Sequence, residues 1–318
     1  MGPEECPLLI RSLHMDNRRI AEMLAGIVGG DNVFAGEPMK NHTSFRLGGP
    51  ADVMVTPSDT AGLTGVYDAC VQNGIPLFVM GNGTNLIVGD KGIRGVVVKL
   101  KDNMSGCRIE GEYIIAQAGI LLSRLSRIAL EHELTGLEFA EGIPGTLGGA
   151  VTMNAGAYGG EMRMVVESTE YLTGEGKVVT LDHSRHCFGK RSSYIQSDGG
   201  TVLETRLRLK EGKSTEIKAK MEEFASLRRA KQPLDMPSAG SVFKRPDGFF
   251  AGKLVQDCGL KGYRIGGAEV SCLHCGFIVN RGSATSADVI ALIKHIQSAV
   301  LERFGVELQT EVRIVGEQ

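Results

Sequence analysis

The chain has 318 residues, too many for one small core, so two or three domains are expected. Hydrophobic residues make up 42% and charged residues 23%, the proportions of a globular protein, and no apolar run approaches the ~20 residues that span a bilayer. A formal net charge of −2 removes the basic excess that nonspecific nucleic-acid binding requires, while leaving room for a local basic pocket around a phosphorylated ligand. Glycine is over-used, with 43 residues, which points to tight turns or close approach of main chain to a ligand. Met1 to Leu13 carries Glu4 and Glu5 and lacks the basic start and apolar core of a secretory signal. Ser12-Leu13-His14-Met15 reads as a cloning junction, so residues 1–15 are expected to be an added leader.

In chain order, Asp16 to Val28 predicts a helix through Ile20, Met23, Leu24, Ile27 and Val28, ended by Gly29-Gly30. Ala51 to Thr56 predicts a strand, and Pro57-Ser58 opens a helix carrying Leu63, Val66, Tyr67 and Cys70. Pro76 to Met80 predicts a buried strand running into Gly81-Asn82-Gly83, with further strands at Ile93 to Leu100 and Tyr113 to Gln117. Ile120 to His132 predicts a helix, followed by the glycine-rich stretch Gly142 to Gly160, which has little periodicity. Glu167 to Leu172 and Val178 to Leu181 form a hairpin about Thr173 to Gly176, and Val202 to Leu209 reads as a half-exposed strand. Thr215 to Arg229 predicts an amphipathic helix through Ile217, Met221, Phe224 and Leu227, followed by a Pro/Gly/Ser-rich loop from Gln232 to Gly248. Ser286 is expected to cap a helix through Phe304, and Val306 to Val315 to form a final strand. Strands and helices interleave in short groups, so the class is mixed α and β, with breaks near residues 100 and 210. The seven cysteines are an odd number, and their one CxxC, Cys272 and Cys275, lacks the second pair of a structural zinc site. Reduced thiols, no metal and a cytoplasmic location are expected.

Two glycine loops stand out: Gly81-Asn82-Gly83-Thr84-Asn85-Leu86 and Gly142-Ile143-Pro144-Gly145-Thr146-Leu147-Gly148-Gly149. Main-chain amides freed of Cβ crowding can cradle a pyrophosphate, although either loop alone could be an ordinary turn. Neither carries the Lys-Ser or Lys-Thr of a P-loop. The first is followed by Leu86-Ile87-Val88, which reads as strand where a dinucleotide fingerprint requires a helix. Spacing alone therefore reaches only a ligand with phosphates.

Further stretches occur in order along the chain: Asn41 to Ala51, Gly136 to Ala140, Met153 to Gly159, Pro237 to Phe243, Gly259 to Gly262 and Glu311 to Arg313. With the two loops, they make the chain resemble the UDP-N-acetylenolpyruvoylglucosamine reductase family. The resemblance implies a two-part FAD-binding region of the vanillyl-alcohol-oxidase type plus a third α+β substrate-binding domain. The first part would span 16–100 and be completed by 305–318, the second 101–210, and the third 211–304. After Arg191 the chain reaches its next strand too quickly for a tyrosine-bearing insert, so it is similar to the shorter branch.

The same resemblance implies non-covalent FAD, NADPH as hydride donor, and a UDP-sugar enolpyruvyl ether reduced during peptidoglycan precursor synthesis. Hydride would reach the β-carbon and a proton the α-carbon, so charge building on the carboxylate needs fixed donors. Arg191 would hold that carboxylate, although many members carry Tyr where this chain has Lys190, which leaves the choice between the two cations open. Ser241 would donate the proton, helped by Lys231, Lys244 or Arg245, and Glu311 would be an inward carboxylate on the last strand. By period two, that strand's apolar face is Val306, Leu308, Val312 and Ile314. FAD would be held by both loops (Gly81, Asn82, Gly83, Thr84, Asn85, Leu86, Gly142, Ile143, Pro144, Gly145, Thr146, Gly148, Gly149) and by Asn154, Ala155, Gly156 and Ala157. The sugar nucleotide would meet Tyr158, Lys231 and Arg245. The rival readings are an alcohol or lactone oxidase of the same FAD fold, disfavoured because Gly81 to Leu86 has no histidine for a flavin tether, and a binding module without catalysis.

Overall fold

A computed structural model describes residues 15–318, so the leader expected over residues 1–15 lies, but for Met15, outside the described residues. Helix α1 (Asn17–Val28) is capped by the Asp16 carboxylate, which accepts from the Arg19 amide, and turns Ile20 and Leu24 inward. There follow β1 (Val33–Pro38), β2 (Pro50–Val55), α2 (Thr60–Gln72), β3 (Leu77–Met80), β4 (Leu86–Val88) and β5 (Ile93–Lys99). The first sheet has the order β1-β2-β5-β3. Strand β1 was not expected from the sequence. Gly36, Pro38 and a largely exposed face erase its alternation, and only antiparallel pairing with β2 makes it an edge strand.

The second sheet is built from β6 (Cys107–Glu110), β7 (Tyr113–Gln117) and, further on, β11 (Val166–Leu172), β12 (Val178–Asp182) and β13 (Thr201–Arg208). Its order is β12-β11-β13-β7-β6, antiparallel throughout. Between β7 and β11 lie α3 (Leu122–Glu131), β8 (Leu134–Thr135), α4 (Leu147–Thr152) and the small hairpin β9 (Gly156–Ala157) and β10 (Gly160–Glu161). A short helix α5 (Tyr194–Asp198) precedes β13. The two sheets share one apolar cluster in which Val53, Leu63 and Val96 join Ile114, Leu125 and Leu147. Residue 100 is thus a change of sheet inside a continuous core.

The break near 210 falls elsewhere. Strand β14 (Lys210–Glu211) pairs with β8, and α6 (Ser214–Lys231) packs on α3 and the turn at 138–140. Helix α6 therefore stays with the second part, and the third begins after residue 231. It contains α7 (Ala251–Asp257), a sheet of β15 (Arg264–Ile265), β16 (Ala268–Val270) and β17 (Ile278–Asn280), and α8 (Ser286–Phe304). Thr285, not Ser286, caps α8, in a capping box with Asp288, while Ser286 is the buried first helical residue.

The expected final strand shrinks to β18 (Arg313–Val315), paired parallel with β4. Upstream, the Lys244 amide donates to the Gln309 carbonyl and Thr310 bridges Phe243, so this stretch passes from the third part to the first. Leu308 and Val312 are buried as their period-two pattern predicts, but Ile314 is 42% exposed because β18 lies at the molecule's edge.

Candidate active site

A cleft of ≈ 790 Å³ opens between the three parts, with the two glycine loops among its walls. The loops pack on each other. The Asn82 side-chain amide donates to the Pro144 carbonyl at 2.7 Å, and a Cβ on Gly81 would lie 2.1 Å from the Thr146 hydroxyl. Gly83 has φ +64°, and a Cβ there would collide with the His42 carbonyl. Gly145 and Gly149 differ: a Cβ at either would meet no protein atom closer than 3.7 Å. Those two glycines answer no packing demand of the protein and leave the wall open to a ligand. Among the described residues, the main-chain amides of Asn82, Gly83, Thr84, Asn85, Gly145 and Thr146 donate to no protein acceptor. Such a run of free donors suits a pyrophosphate, so the residues present fit FAD.

The predicted chemical residues converge here. Arg191, Ser241 and Glu311 all line the cleft. Arg191 sits at φ +57° in the tight turn 189–192 and donates from Nε to the Glu311 carboxylate at 2.8 Å. Its Nη2 donates to the Gly156 carbonyl at 2.9 Å, and Nη1 makes a longer contact with the Asn154 carbonyl. A guanidinium has five N–H donors, so two remain for an incoming carboxylate. Glu311 is placed by both loops of chain around it: its carbonyl accepts from Asn85 Nδ2 at 3.0 Å, and its amide donates to the Val242 carbonyl at 2.8 Å. Among the described residues the Ser241 hydroxyl has only a long 3.4 Å contact to the Phe243 carbonyl.

Other expectations part company with the structure. Asn154 is wholly buried and does not line the cleft. Its side chain accepts from the Arg163 amide and donates to Glu161 and the Gly189 carbonyl, so it braces the Arg191 turn. Lys231, Lys244 and Arg245 also lie outside the lining; Arg245 donates to the Phe249 carbonyl and stacks over Phe250. None of these three cations accompanies Ser241. Tyr158 is likewise outside the lining, partly exposed and stacked on Phe224 with ring centroids 4.7 Å apart. The remaining loop residues and Ala155, Gly156 and Ala157 do line the cleft.

Sequence reading missed Arg228 and His274. Arg228 is buried on α6 and lines the cleft, and its Nε has no partner among the described residues. Burial lowers its pKa from the usual guanidinium value, partly offset by Tyr158 and by the Glu141 carboxylate. Its signal was present: Arg228 continues the stripe Ile217, Met221, Phe224 at helical spacing, the place given to Leu227. His274 also lines the cleft, its Nδ1 accepts from the Gly276 amide, and burial depresses its pKa, so the ring is neutral. Among the described residues no cluster of three His, Cys, Asp or Glu side chains could hold a metal, and no helix is long and apolar enough to cross a membrane.

Comparison with known proteins agrees with this geometry. Residues 51–182 match the model of an FAD binding domain, and residues 232–315 match that of the UDP-N-acetylenolpyruvoylglucosamine reductase C-terminal domain. A protein named UDP-N-acetylenolpyruvoylglucosamine reductase from Alkaliphilus metalliredigens is 51% identical over 303 residues, 95% of this chain and all of the relative. One from Caldanaerobacter subterraneus is 52% identical over 299 residues, covering 94% and 99%. The crystal structure of the Thermus caldophilus reductase superposes with a TM-score of 0.76 at 34% identity, covering 89% of this chain and 97% of that one.

Proposed function

The chain belongs to the UDP-N-acetylenolpyruvoylglucosamine reductase family, and from that premise we propose the roles of its residues and its hydride donor. It is an FAD-dependent reductase of UDP-N-acetylglucosamine enolpyruvate in peptidoglycan precursor synthesis. We assign NADPH as the donor and the cytoplasm as the location, the latter supported by six described cysteines that are all free. The third part, from residue 232, binds the sugar nucleotide.

FAD supplies the two-electron hydride chemistry when bound, held by the free amides of Asn82 to Asn85 and of Gly145 and Thr146. The protein's own residues handle charge and proton. As the β-carbon of the enolpyruvyl group gains hydride, negative charge spreads over the α-carbon and carboxylate. The two spare donors of Arg191 face that charge, while Glu311 and two carbonyls hold the guanidinium plane fixed. Ser241 delivers the proton to the α-carbon. The neutral His274 ring lies nearby: a Cβ on Gly276 would come 3.5 Å from the Ser241 hydroxyl and 2.8 Å from the ring. Arg228, buried and with its Nε unpartnered among the described residues, suits a phosphate of the cofactor or of the sugar nucleotide.

The observation that carries this reading is the meeting of Arg191, Ser241 and Glu311 in the cleft walled by the glycine loops. The test is Ser241→Ala in the two half-reactions. Flavin reduction by NADPH is expected to be nearly intact, and flavin reoxidation by the enolpyruvyl substrate to slow by about 10²–10⁴-fold, the usual range for loss of a positioned acid. Equal loss in both half-reactions means that Ser241 is not the proton donor.

A further inference from the structure

The turn that carries Arg191 also carries Lys190, and the two side chains leave it for different targets. It is closed by the Gly189 amide donating to the Ser192 carbonyl at 3.1 Å. Its base is rigid: Phe188 stacks on the buried His186 with centroids 4.7 Å apart, and Asn154 donates to the Gly189 carbonyl at 2.9 Å. Arg191 reaches Glu311 inside the cleft. Lys190 reaches outward, donating to the Arg245 carbonyl and lying 3.5 Å from the Asp247 carboxylate.

Both targets of Lys190 belong to the third part, and Arg245 follows Ser241 by four residues. The segment between them is stitched on both sides. The Val242 amide donates to the Gly276 carbonyl on one flank, and the Lys244 amide to the Gln309 carbonyl on the other. Main-chain bonds on both sides therefore link the position of Arg245 to that of Ser241. We propose that Lys190 is a positioning residue, the outer prong of a clasp that holds segment 241–245 at a set distance from the Arg191–Glu311 pair. It does not duplicate Arg191, because its ammonium is committed to the 245–247 loop and does not line the cleft. The clasp crosses the seam between the second and third parts, so it governs how closely donor and acceptor groups approach once substrate lies between them. Both contacts are exposed; the Asp247 ion pair is weak, and the bond to the Arg245 main-chain carbonyl is the part that sets geometry.

This inference rests on the roles given to Arg191 and Ser241, and its test separates the two. Full-length flavoprotein is reduced anaerobically with dithionite and mixed with saturating UDP-N-acetylglucosamine enolpyruvate, and the return of oxidised-flavin absorbance is timed. Lys190→Met is expected to slow reoxidation roughly three- to tenfold, the span one hydrogen bond of ordinary net strength controls, with reduction by NADPH unchanged. Lys190→Arg, which also reaches the carbonyl, is expected to restore most of the rate, and Lys190→Gln to fall between. Asp247→Asn is expected to change the rate by less than about twofold. Wild-type reoxidation in both Lys190→Met and Lys190→Gln, no rescue by Lys190→Arg, or equal slowing of both half-reactions overturns the clasp. Arg191→Ala is the control: normal reoxidation there overturns the assignment of Arg191, whereas slow reoxidation there beside a wild-type Lys190→Met overturns the clasp alone.

Discussion

The third part buries Phe45, Leu47 and Ile87 of the first part in its own apolar cluster; the second part reaches across from one turn, by Lys190 to the third part and by Arg191 to Glu311 in the stretch that returns to the first. The first seam is reinforced by polar contacts made away from the chemistry. The Asp90 carboxylate accepts from the Ser286 and Ala287 amides at the start of α8, and Asn280 donates to the Phe45 carbonyl. Apolar burial is nondirectional and strong, which suits a permanent joint. Two directed polar contacts are individually weak but fix geometry, which suits the placing of side chains around a cleft. The cleft sits between a seam closed by packing and a turn that reaches across with polar side chains.

That contrast can be broken from either side. Ile87→Ala, at a fully buried position of the packed seam, is expected to cost about 2–5 kcal/mol of stability, read as a lower unfolding midpoint. The ratio of the two half-reaction rates should survive; a variant that keeps its stability but loses reoxidation would merge the two seams into one. Arg191→Lys, at the polar seam, is expected to leave the midpoint nearly unchanged and slow reoxidation by about 10²–10³-fold, as for loss of a preorganised donor. A midpoint that falls with the rate would make Arg191 a structural residue. Asp90→Ala removes the external cap of α8 and is expected to cost about 0.5–2 kcal/mol, with turnover of the folded fraction preserved.

The smallest effect is one of pH. His186 is buried neutral under the Arg191 turn: Nδ1 donates to the Asp182 carbonyl, and Nε2 accepts from the Thr169 hydroxyl. Burial lowers its pKa below the ordinary 6.5, as it does for His274. A depressed histidine binds its proton more readily in the unfolded chain, so its stabilising effect is present above pH 6.5 and lost as pH falls toward the folded pKa. Unfolding midpoints should therefore be flat above that pH and decline below it, by up to about 1.4 kcal/mol per pH unit for each such group. In His186→Gln the decline should become shallower. An unchanged slope would remove His186 as its source.

Much of the site was legible because it is written in local, ordered motifs. Two glycine loops and the stretches around Arg191, Ser241 and Glu311 marked candidate cofactor and chemical residues, and those three candidates do share one cleft. Errors arose where a residue's partner is distant in sequence. Asn154 reads as part of a binding motif but spends its side chain on Arg163, Glu161 and Gly189. Lys231 and Arg245, close to Ser241 along the chain, turn to solvent and to their own loop. Arg228 was passed over because a charged residue on an apolar stripe reads as an interruption, when burial there is what directs it into the cleft.

The sequence by itself determined the element types, the glycine loops and the identity of the chemical side chains, because periodicity, missing Cβ atoms and functional groups are properties of short segments. Tertiary structure decided which cation faces the cleft, where the third part begins and which seam is polar. Those outcomes depend on contacts between residues such as Lys190 and Arg245 or Asp90 and Ser286, 55 and 196 positions apart, whose energies exist only once the chain has folded.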